Sequence, residues 1–376
     1  MSNRWLNIDD LRATARKRAH RMVFDYIDGG ADDEAAMVNN GAAFGHYDIV
    51  HHVLRGVETI DTSIESLGHR LAVPFYCSPA AGQRLFHKDG ERASARAAAH
   101  AGTAFSLSTL SSVSIEEIAA LTDGPKFFQL YVWKDRGLVA EMLARARAAG
   151  YGALILTVDF PIAGNRERDP RNGFTIPPRY GPRQAWQALI RPAWTFDYLT
   201  SAPIRYANLD TATPATSLTE FVAAQLHAGF AWADAEWVLG EWNGPAILKG
   251  VAHTDDARRA VSSGFAAISL SNHGGRQLDA SPAPIDLVEN MRQTIGGDAE
   301  IHVDGGIRRG TDILKALALG ADAVSFARPY LYGLAAAGEA GATRALDLMT
   351  AAIKRDMALA GIRSVNELRP DMIRRR

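Results

Sequence analysis

The chain has 376 residues, 47% of them hydrophobic and 22% charged, with a formal net charge of −1. That length suits two ordinary domains or one large α/β barrel with insertions, and the composition is that of a globular protein with a sizeable core. The charge balance argues against nucleic acid as a partner, and the single cysteine, Cys77, excludes a disulfide framework or a thiolate metal cluster.

The N-terminal stretch MSNRWLNIDDLRATARKRAH alternates polar and apolar residues without a long apolar core, so no secretory signal is expected. No run approaches the roughly 18 apolar residues of a membrane span. The expected location is the cytoplasm, with any membrane contact peripheral and on the inner face. Residues 1–70 read as an N-terminal extension containing a helix, IDDLRATARKRAH.

Beyond it, short apolar runs recur without alternation, as strands covered on both faces should. They predict strands near residues 73–78, 103–107, 126–131, 153–158, 245–249, 266–270, 300–303 and 323–326. Segments such as DRGLVAEMLARARAAG and GTDILKALALG separate them, with apolar residues at helical spacing and glycine after the last turn. Eight β-then-α units are what a (β/α)8 TIM barrel requires. A doubly wound open sheet is the competitor, and eight units fit closure more naturally. Residues 160–230 interrupt the fourth connection and are far longer than a usual βα loop, so the reading is one domain over 1–376 with a long insertion after strand 4.

In such a barrel the active site forms where strands end. The third predicted strand ends in Gln129 and Tyr131, the fourth in Thr157 and Asp159, and the fifth in Lys249. The sixth ends in SNHGGRQLD, with Ser271, His273 and Arg276; the seventh ends in Asp304 and the eighth in Arg328. Any one of these reads equally well as a solvated strand end. Six consecutive strands ending this way read as a ring that holds a polar ligand.

The last two loops indicate an anion. DGGIRRG places Gly305 and Gly306 before a helix with Arg308 and Arg309 beside its start, and Ala327-Arg328 follows the eighth strand. Backbone N–H groups at a helix start, assisted by a guanidinium, make an anion site, and these loops are the barrel's habitual phosphate-binding place. No GxGxxG follows a strand and no GxxxxGK[ST] loop is present, so neither a Rossmann dinucleotide nor a P-loop nucleotide is favoured. His51 and His52 are adjacent, no HExxH occurs, and no metal is expected.

A histidine that takes a proton works best when a carboxylate holds its other nitrogen, and Asp159, at the end of a different strand, is the candidate partner for His273. Arg276 suits a carboxylate gripped through two parallel hydrogen bonds. A base, a carboxylate clamp and a phosphate-anchored cofactor suggest chemistry on an acid with an α-proton.

SNHGGRQLD, together with FDYIDGGADDE, FFQLYVWKDR, LTVDFP, RERD, ILKG, DGGIRRGTDILKALALGAD and ARPYLYGLAAAGEAG, resembles the FMN-dependent L-2-hydroxy acid oxidases and dehydrogenases. The resemblance runs from about residue 7 to 368 and implies FMN as cofactor. It makes His273 the group that takes the proton as the substrate α-carbon is oxidised, with Asp159 stabilising it once charged. Arg276 then binds the substrate carboxylate with Tyr26, Tyr131 contacts the hydroxyl, and Arg166 reaches the substrate from the loop. Lys249 is implied near flavin N1 and O2. Ser108, Gln129 and Thr157 are implied on the isoalloxazine, with the backbone of Pro79, Ala80 and Ala81 against it and Ser271 nearby. Asp304 is assigned to the ribityl chain, and Gly306, Arg308, Ala327 and Arg328 to the phosphate end.

Departures from the family pattern refine this. Leu110 stands where glycolate oxidase has tryptophan, which implies a roomier pocket. Ala327 replaces a glycine common before the phosphate arginine, so its methyl crowds the backbone there. Ala81 is alanine as in several oxidases, which leans toward oxygen as acceptor. Against that, residues 171–206 hold five arginines and one aspartate, a net charge of +4, and the aromatics Phe174, Tyr180, Trp186, Trp194, Phe196, Tyr198 and Tyr206. A cationic, aromatic segment suits a lipid interface, and this one resembles the membrane-binding insertion of bacterial mandelate and lactate dehydrogenases. The alternative is a lid that merely covers the active site.

The expected activity is oxidation of a small L-2-hydroxy acid to the 2-keto acid, L-lactate first and L-mandelate second. Electrons are expected to reach a quinone or cytochrome, with oxygen the rival acceptor, and family likeness implies a homotetramer. A non-catalytic phosphate-binding barrel is the rival from another class.

Overall fold

The computed structural model describes residues 5–174, 181–209 and 225–376. Eight parallel strands close into a barrel: β1 (Phe75–Cys77), β2 (Phe105–Ser108), β3 (Lys126–Tyr131), β4 (Ala153–Thr157), β5 (Ala246–Val251), β6 (Ala267–Ser271), β7 (Glu300–Asp304) and β8 (Ala323–Phe326). Neighbours in sequence are neighbours in the barrel, and β8 returns to β1 to close it. Each expected strand is present, within a few residues of its expected ends, so the open-sheet alternative is excluded.

The N-terminal extension contributes α1 (Ile8–Arg18), α2 (Arg21–Asp28) and α3 (Ala35–Ala42). The outer layer follows with α4 (Gly90–His100), α5 (Ile115–Leu121) and α6 (Arg136–Ala148). Three short helices belong to the insertion: α7 (Arg168–Asn172), α8 (Pro182–Leu189) and α9 (Pro192–Leu199). Then come α10 (Trp232–Trp242), α11 (Thr254–Ser262), α12 (Pro284–Ile295), α13 (Gly310–Ala318) and α14 (Arg328–Ala360). Side-chain oxygens satisfy the first free N–H groups of several helices, as Asn7 does for Asp10, Ser114 for Glu117 and Asp135 for Leu138.

Alternation along the strands sorts the side chains. Outward residues such as Phe128, Leu154, Leu156, Leu248, Ile268 and Val303 join the helices in one large core. Inward residues in the lower barrel, Tyr76, Phe127, Ile155 and Ile247, pack against Leu67 and Leu71, and the hairpin of Ile64–Ser66 and His69–Leu71 closes that end. The N-terminal extension and the C-terminal segment meet in a short antiparallel pair, Tyr47–Ile49 with Ile373–Arg375. The strands' C-terminal ends face the other way and are covered by α2, α3 and the insertion.

Candidate active site

The sixth strand delivers His273 and the fourth delivers Asp159, and the structure brings them together: His273 Nδ1 lies 3.0 Å from Asp159 Oδ1. Room for the aspartate comes from a bulge in β5 between Lys249 and Val251. Gly250 sits there at φ 107°, and a Cβ on it would fall 2.6 Å from the Asp159 Cβ. Only glycine fits that close approach. Asp159 Oδ2 is buried without a protein hydrogen-bond partner, while Gln277 Nε2 donates to the backbone carbonyls of Asp159 and Ile162, both at 2.9 Å. The rings of Tyr131 and Phe160 flank the imidazole, with centroids 6.4 and 5.6 Å away. Burial holds the His273 pKa below the ordinary imidazole range, even though Asp159 pulls it up. The ring is therefore neutral near pH 7 and able to accept a proton.

Beside the histidine is a cluster of cations. Arg276 Nη1 donates to the carbonyls of Tyr26 and Gly29, and its guanidinium lies 4.9 Å from the centre of the Tyr26 ring. Both bonds use Nη1, so the Nε–Nη2 edge is the one suited to a carboxylate. Burial, and then the nearby charge of Arg166, push the Arg276 guanidinium down to about 9. A bound anion would relieve that charge crowding. Phe174 of the insertion stacks on Tyr26 at 4.5 Å, 5° from parallel, and so fixes the tyrosine from outside. Burial raises the Tyr131 hydroxyl above its ordinary range, which keeps it protonated.

The floor is a polar layer of inward strand ends. Lys249 Nζ lies 2.6 Å from Asp304 Oδ2 and donates to Ser271 Oγ at 2.8 Å. Ser271 Oγ in turn donates to Asp304 and accepts the His273 N–H at 3.1 Å. Burial alone would discharge Lys249, but the carboxylates of Asp304 and Asp159 hold its pKa above the usual value. On the other side, Ser108 Oγ donates to Gln129, whose Nε2 donates to Thr157 Oγ1 at 3.0 Å.

These groups border one cavity of about 1030 Å³, counted out to its open mouth. Of the expected residues, Tyr26, Pro79, Ala80, Ala81, Gln129, Tyr131, Thr157, Arg166, Lys249, His273, Arg276, Asp304, Gly306, Arg308, Ala327 and Arg328 line it, and so does Leu110. Ser108 and Ser271 do not reach the wall; each stands behind it, orienting Gln129 or Lys249. Phe86, Phe160 and Leu331 also line the cavity, though sequence reasoning did not single them out. As apolar residues they carry no chemical signal of their own.

The anion end differs from the helix-start picture. Asp312 Oδ2 accepts the N–H groups of both Arg308 and Arg309, at 2.9 Å each, so those donors already have a partner. What remains toward the cavity is Gly305 and Gly306, at φ 132° and 81°, with the side chains of Arg308 and Arg328. Arg328 is itself tied down, donating to the carbonyls of Ile27, Gly274 and Gly29 at 2.8–3.0 Å. It holds the N-terminal extension onto the motif loop as well as lining the cavity. Among the described residues no cluster of His, Cys, Asp or Glu could hold a metal ion.

Residues 15–375 match the family of FMN-dependent dehydrogenases. A Mycobacterium tuberculosis protein with the provisional name L-lactate dehydrogenase is 43% identical over 368 residues, 97% of this chain and 88% of its own. The crystal structure of the monotopic membrane protein (S)-mandelate dehydrogenase is 36% identical with a TM-score of 0.95 over 100% of both chains. A soluble mutant of the membrane-associated (S)-mandelate dehydrogenase from Pseudomonas putida has a TM-score of 0.85 at 34% identity, over 99% of both chains. The cavity fits the cofactor this family carries. Gly306 cannot bear a side chain, since a Cβ would come 2.0 Å from the Asn40 carbonyl, so bare backbone and two arginines are presented to a phosphate. Lys249, Gln129 and Thr157 face the middle of the cavity, where the flavin ring would be held.

Proposed function

This chain belongs to the FMN-dependent dehydrogenase family, and we propose that it oxidises a small L-2-hydroxy acid, L-lactate first, to the 2-keto acid. FMN is its cofactor and, when bound, supplies the two-electron acceptor. The observation that carries the reading is the His273–Asp159 pair at 3.0 Å, with His273 and Arg276 lining one cavity. Arg276 and Tyr26 bind the substrate carboxylate, which directs the α-carbon toward the histidine. With Nδ1 held by Asp159, His273 accepts the substrate's proton on Nε2. Asp159 then stabilises the imidazolium. Tyr131, protonated and buried, hydrogen-bonds the substrate hydroxyl. Lys249 is the positive group placed to stabilise negative charge on the cofactor, and Asp304 keeps it charged. Phe160, Phe174 and Tyr26 wall off water on the solvent side.

L-Mandelate is the second reading, favoured by Leu110 on the cavity wall and by the structural likeness to a mandelate dehydrogenase at a TM-score of 0.95. For the acceptor we propose a quinone or cytochrome reached at a membrane. In support, α8 exposes Trp186 and Leu189 with Ile190 after them, and α9 exposes Phe196 and Leu199, at helical spacing beside Arg183 and Arg191. Greater likeness to the monotopic (S)-mandelate dehydrogenase, at a TM-score of 0.95, than to the soluble mutant of the Pseudomonas putida enzyme, at 0.85, supports the same reading. Tyr180, also expected on that surface, lies outside the described residues. No helix among the described residues is long and apolar enough to cross a membrane, so attachment would be peripheral. Oxygen is the rival acceptor, supported by Ala81 on the cavity wall. A homotetramer and a place on the inner face of the cell membrane complete the proposal.

The test is anaerobic mixing of the yellow protein with L-lactate while the flavin absorbance is followed. Rapid bleaching supports the reaction and the substrate together. Bleaching with L-mandelate alone moves the substrate to the second reading, and no bleaching with any 2-hydroxy acid overturns the proposal.

A further inference from the structure

His273 has φ 57° and is followed by Gly274 and Gly275 at 67° and 74°. For a residue with a Cβ the left-handed region is strained. It persists only where the surroundings over-determine it. From inside the barrel, Ser271 Oγ accepts the His273 N–H. From outside, the buried side chain of Asn272 does the rest. Its Oδ1 accepts the Gly275 N–H at 3.0 Å and its Nδ2 donates to the Pro282 carbonyl at 3.1 Å, which sets the orientation of the amide.

Both polar atoms make one further bond, and both bonds go to Asn40. Asn40 Nδ2 donates to Asn272 Oδ1 and Asn272 Nδ2 donates to Asn40 Oδ1, each at 2.7 Å. Asn40 belongs to α3, in the N-terminal extension, 232 residues away in sequence. The Asp279 carboxylate accepts the Ala35 and Ala36 N–H groups at the start of α3 and so pins the helix to the end of the same motif. The helix is also tight against two glycines: a Cβ on Gly275 would come 2.4 Å from Met37 N, and one on Gly306 would come 2.0 Å from the Asn40 carbonyl. The extension is thus wedged between the loop that bears His273 and the glycines at the anion end.

We propose that Asn40 is a positioning residue for proton transfer, acting through Asn272 to hold the left-handed turn that sets His273 against Asp159. The inference rests on the oxidation proposed above. A hydrophobic side chain would fill the same space, but two reciprocal bonds also fix the plane and direction of the Asn272 amide. Removing Asn40 leaves one N–H and one lone pair of the buried Asn272 amide without a partner, and the loop can relax toward a less strained backbone.

The experiment compares the full-length FMN-loaded protein with Asn40→Ala and Asn40→Asp. The aspartate keeps the shape and one acceptor but removes the donor to Asn272 Oδ1. The readouts are FMN content, the anaerobic rate of flavin reduction, KM and the pH profile of kcat/KM. We expect normal FMN content in both variants and a reduction rate lowered on the order of 10–100-fold, with KM changed far less. We also expect the acidic limb of the pH profile to move, because the histidine's partner geometry has changed. Wild-type rates and an unmoved profile, with only the melting temperature lowered, would overturn the inference. So would loss of folded yellow protein in both variants, which would make Asn40 a purely structural tie. If the wild type itself bleaches with no 2-hydroxy acid, the functional reading fails instead, and the two failures are told apart.

Discussion

The rim of the barrel and the insertion use aromatic side chains in opposite ways. At the rim, Tyr131 and Phe160 are turned inward around His273 and Tyr26 lies against the Arg276 guanidinium, which is bonded to backbone carbonyls. In the insertion, Trp194 is 2% exposed while Trp186 is 60% exposed, although both lie on short helices of the same segment. Trp194 is an anchor: its Nε1 donates to the Leu85 carbonyl at 2.8 Å, and its ring stacks on Tyr198. Close by, Arg18 pairs with Asp197, and His20 Nε2 donates to the Gln184 carbonyl at 3.1 Å. These few contacts dock α8 and α9 while leaving their other faces uncovered. The rim is built for chemistry, and the insertion is built to be held at some points and to offer the rest.

That contrast breaks if rim substitutions spare the chemistry or if substitutions on the exposed face damage it. The largest effect is expected at His273→Ala, which should keep its FMN yet lose on the order of 10²–10⁴ in turnover. Turnover near the wild-type value would remove the histidine from the mechanism. Asp159→Asn should follow, with the rate of flavin reduction falling on the order of 10²-fold or more and the substrate KM changing less. The pH dependence has a definite sign. The base must be neutral and burial lowers its pKa, so kcat/KM should rise from acid pH with a midpoint below the ordinary imidazole pKa of about 6.5. A midpoint above that value would mean that Asp159, rather than burial, dominates.

The anchor comes next. Trp194→Ala should destabilise the fold by about 3–5 kcal/mol, read from denaturant unfolding, because a large buried ring is lost. The smallest kinetic effect is expected from Trp186→Ser, Leu189→Ser, Phe196→Ser and Leu199→Ser combined. Surface changes of this kind usually stay within about ±0.5 kcal/mol each, so anaerobic reduction should be little altered while sedimentation with anionic vesicles is lost. Vesicle binding that survives all four would move the membrane contact elsewhere.

Much of this was readable before any fold was known. All eight strands announced themselves as short uninterrupted apolar runs, because strands covered on both faces cannot alternate. The polar ring was legible as well, because each barrel strand ends at the rim and a charged residue there interrupts an apolar run. Ser108 and Ser271 mark the limit: the family resemblance put Ser108 at the site and strand-end position put Ser271 there, but only side-chain geometry shows that one orients Gln129 and the other Lys249. Asp312 is a similar case. A helix start after two glycines reads as open backbone donors, and an acidic side chain two residues inside the helix had already occupied two of them.

By itself the sequence determined the eight strands and the polar residues at their ends, since periodicity and strand-end chemistry are local properties of the chain. The tertiary structure decided what no local pattern contains: the 3.0 Å approach of Asp159 to His273, the bulge at Gly250 that admits it, and the amide pair between Asn40 and Asn272. Each joins segments far apart in sequence, and such a contact arises only after the chain has closed on itself and two surfaces are forced into register. The same holds for the insertion, where only docking against α1 and the loop after β1 separates the buried Trp194 from the exposed Trp186.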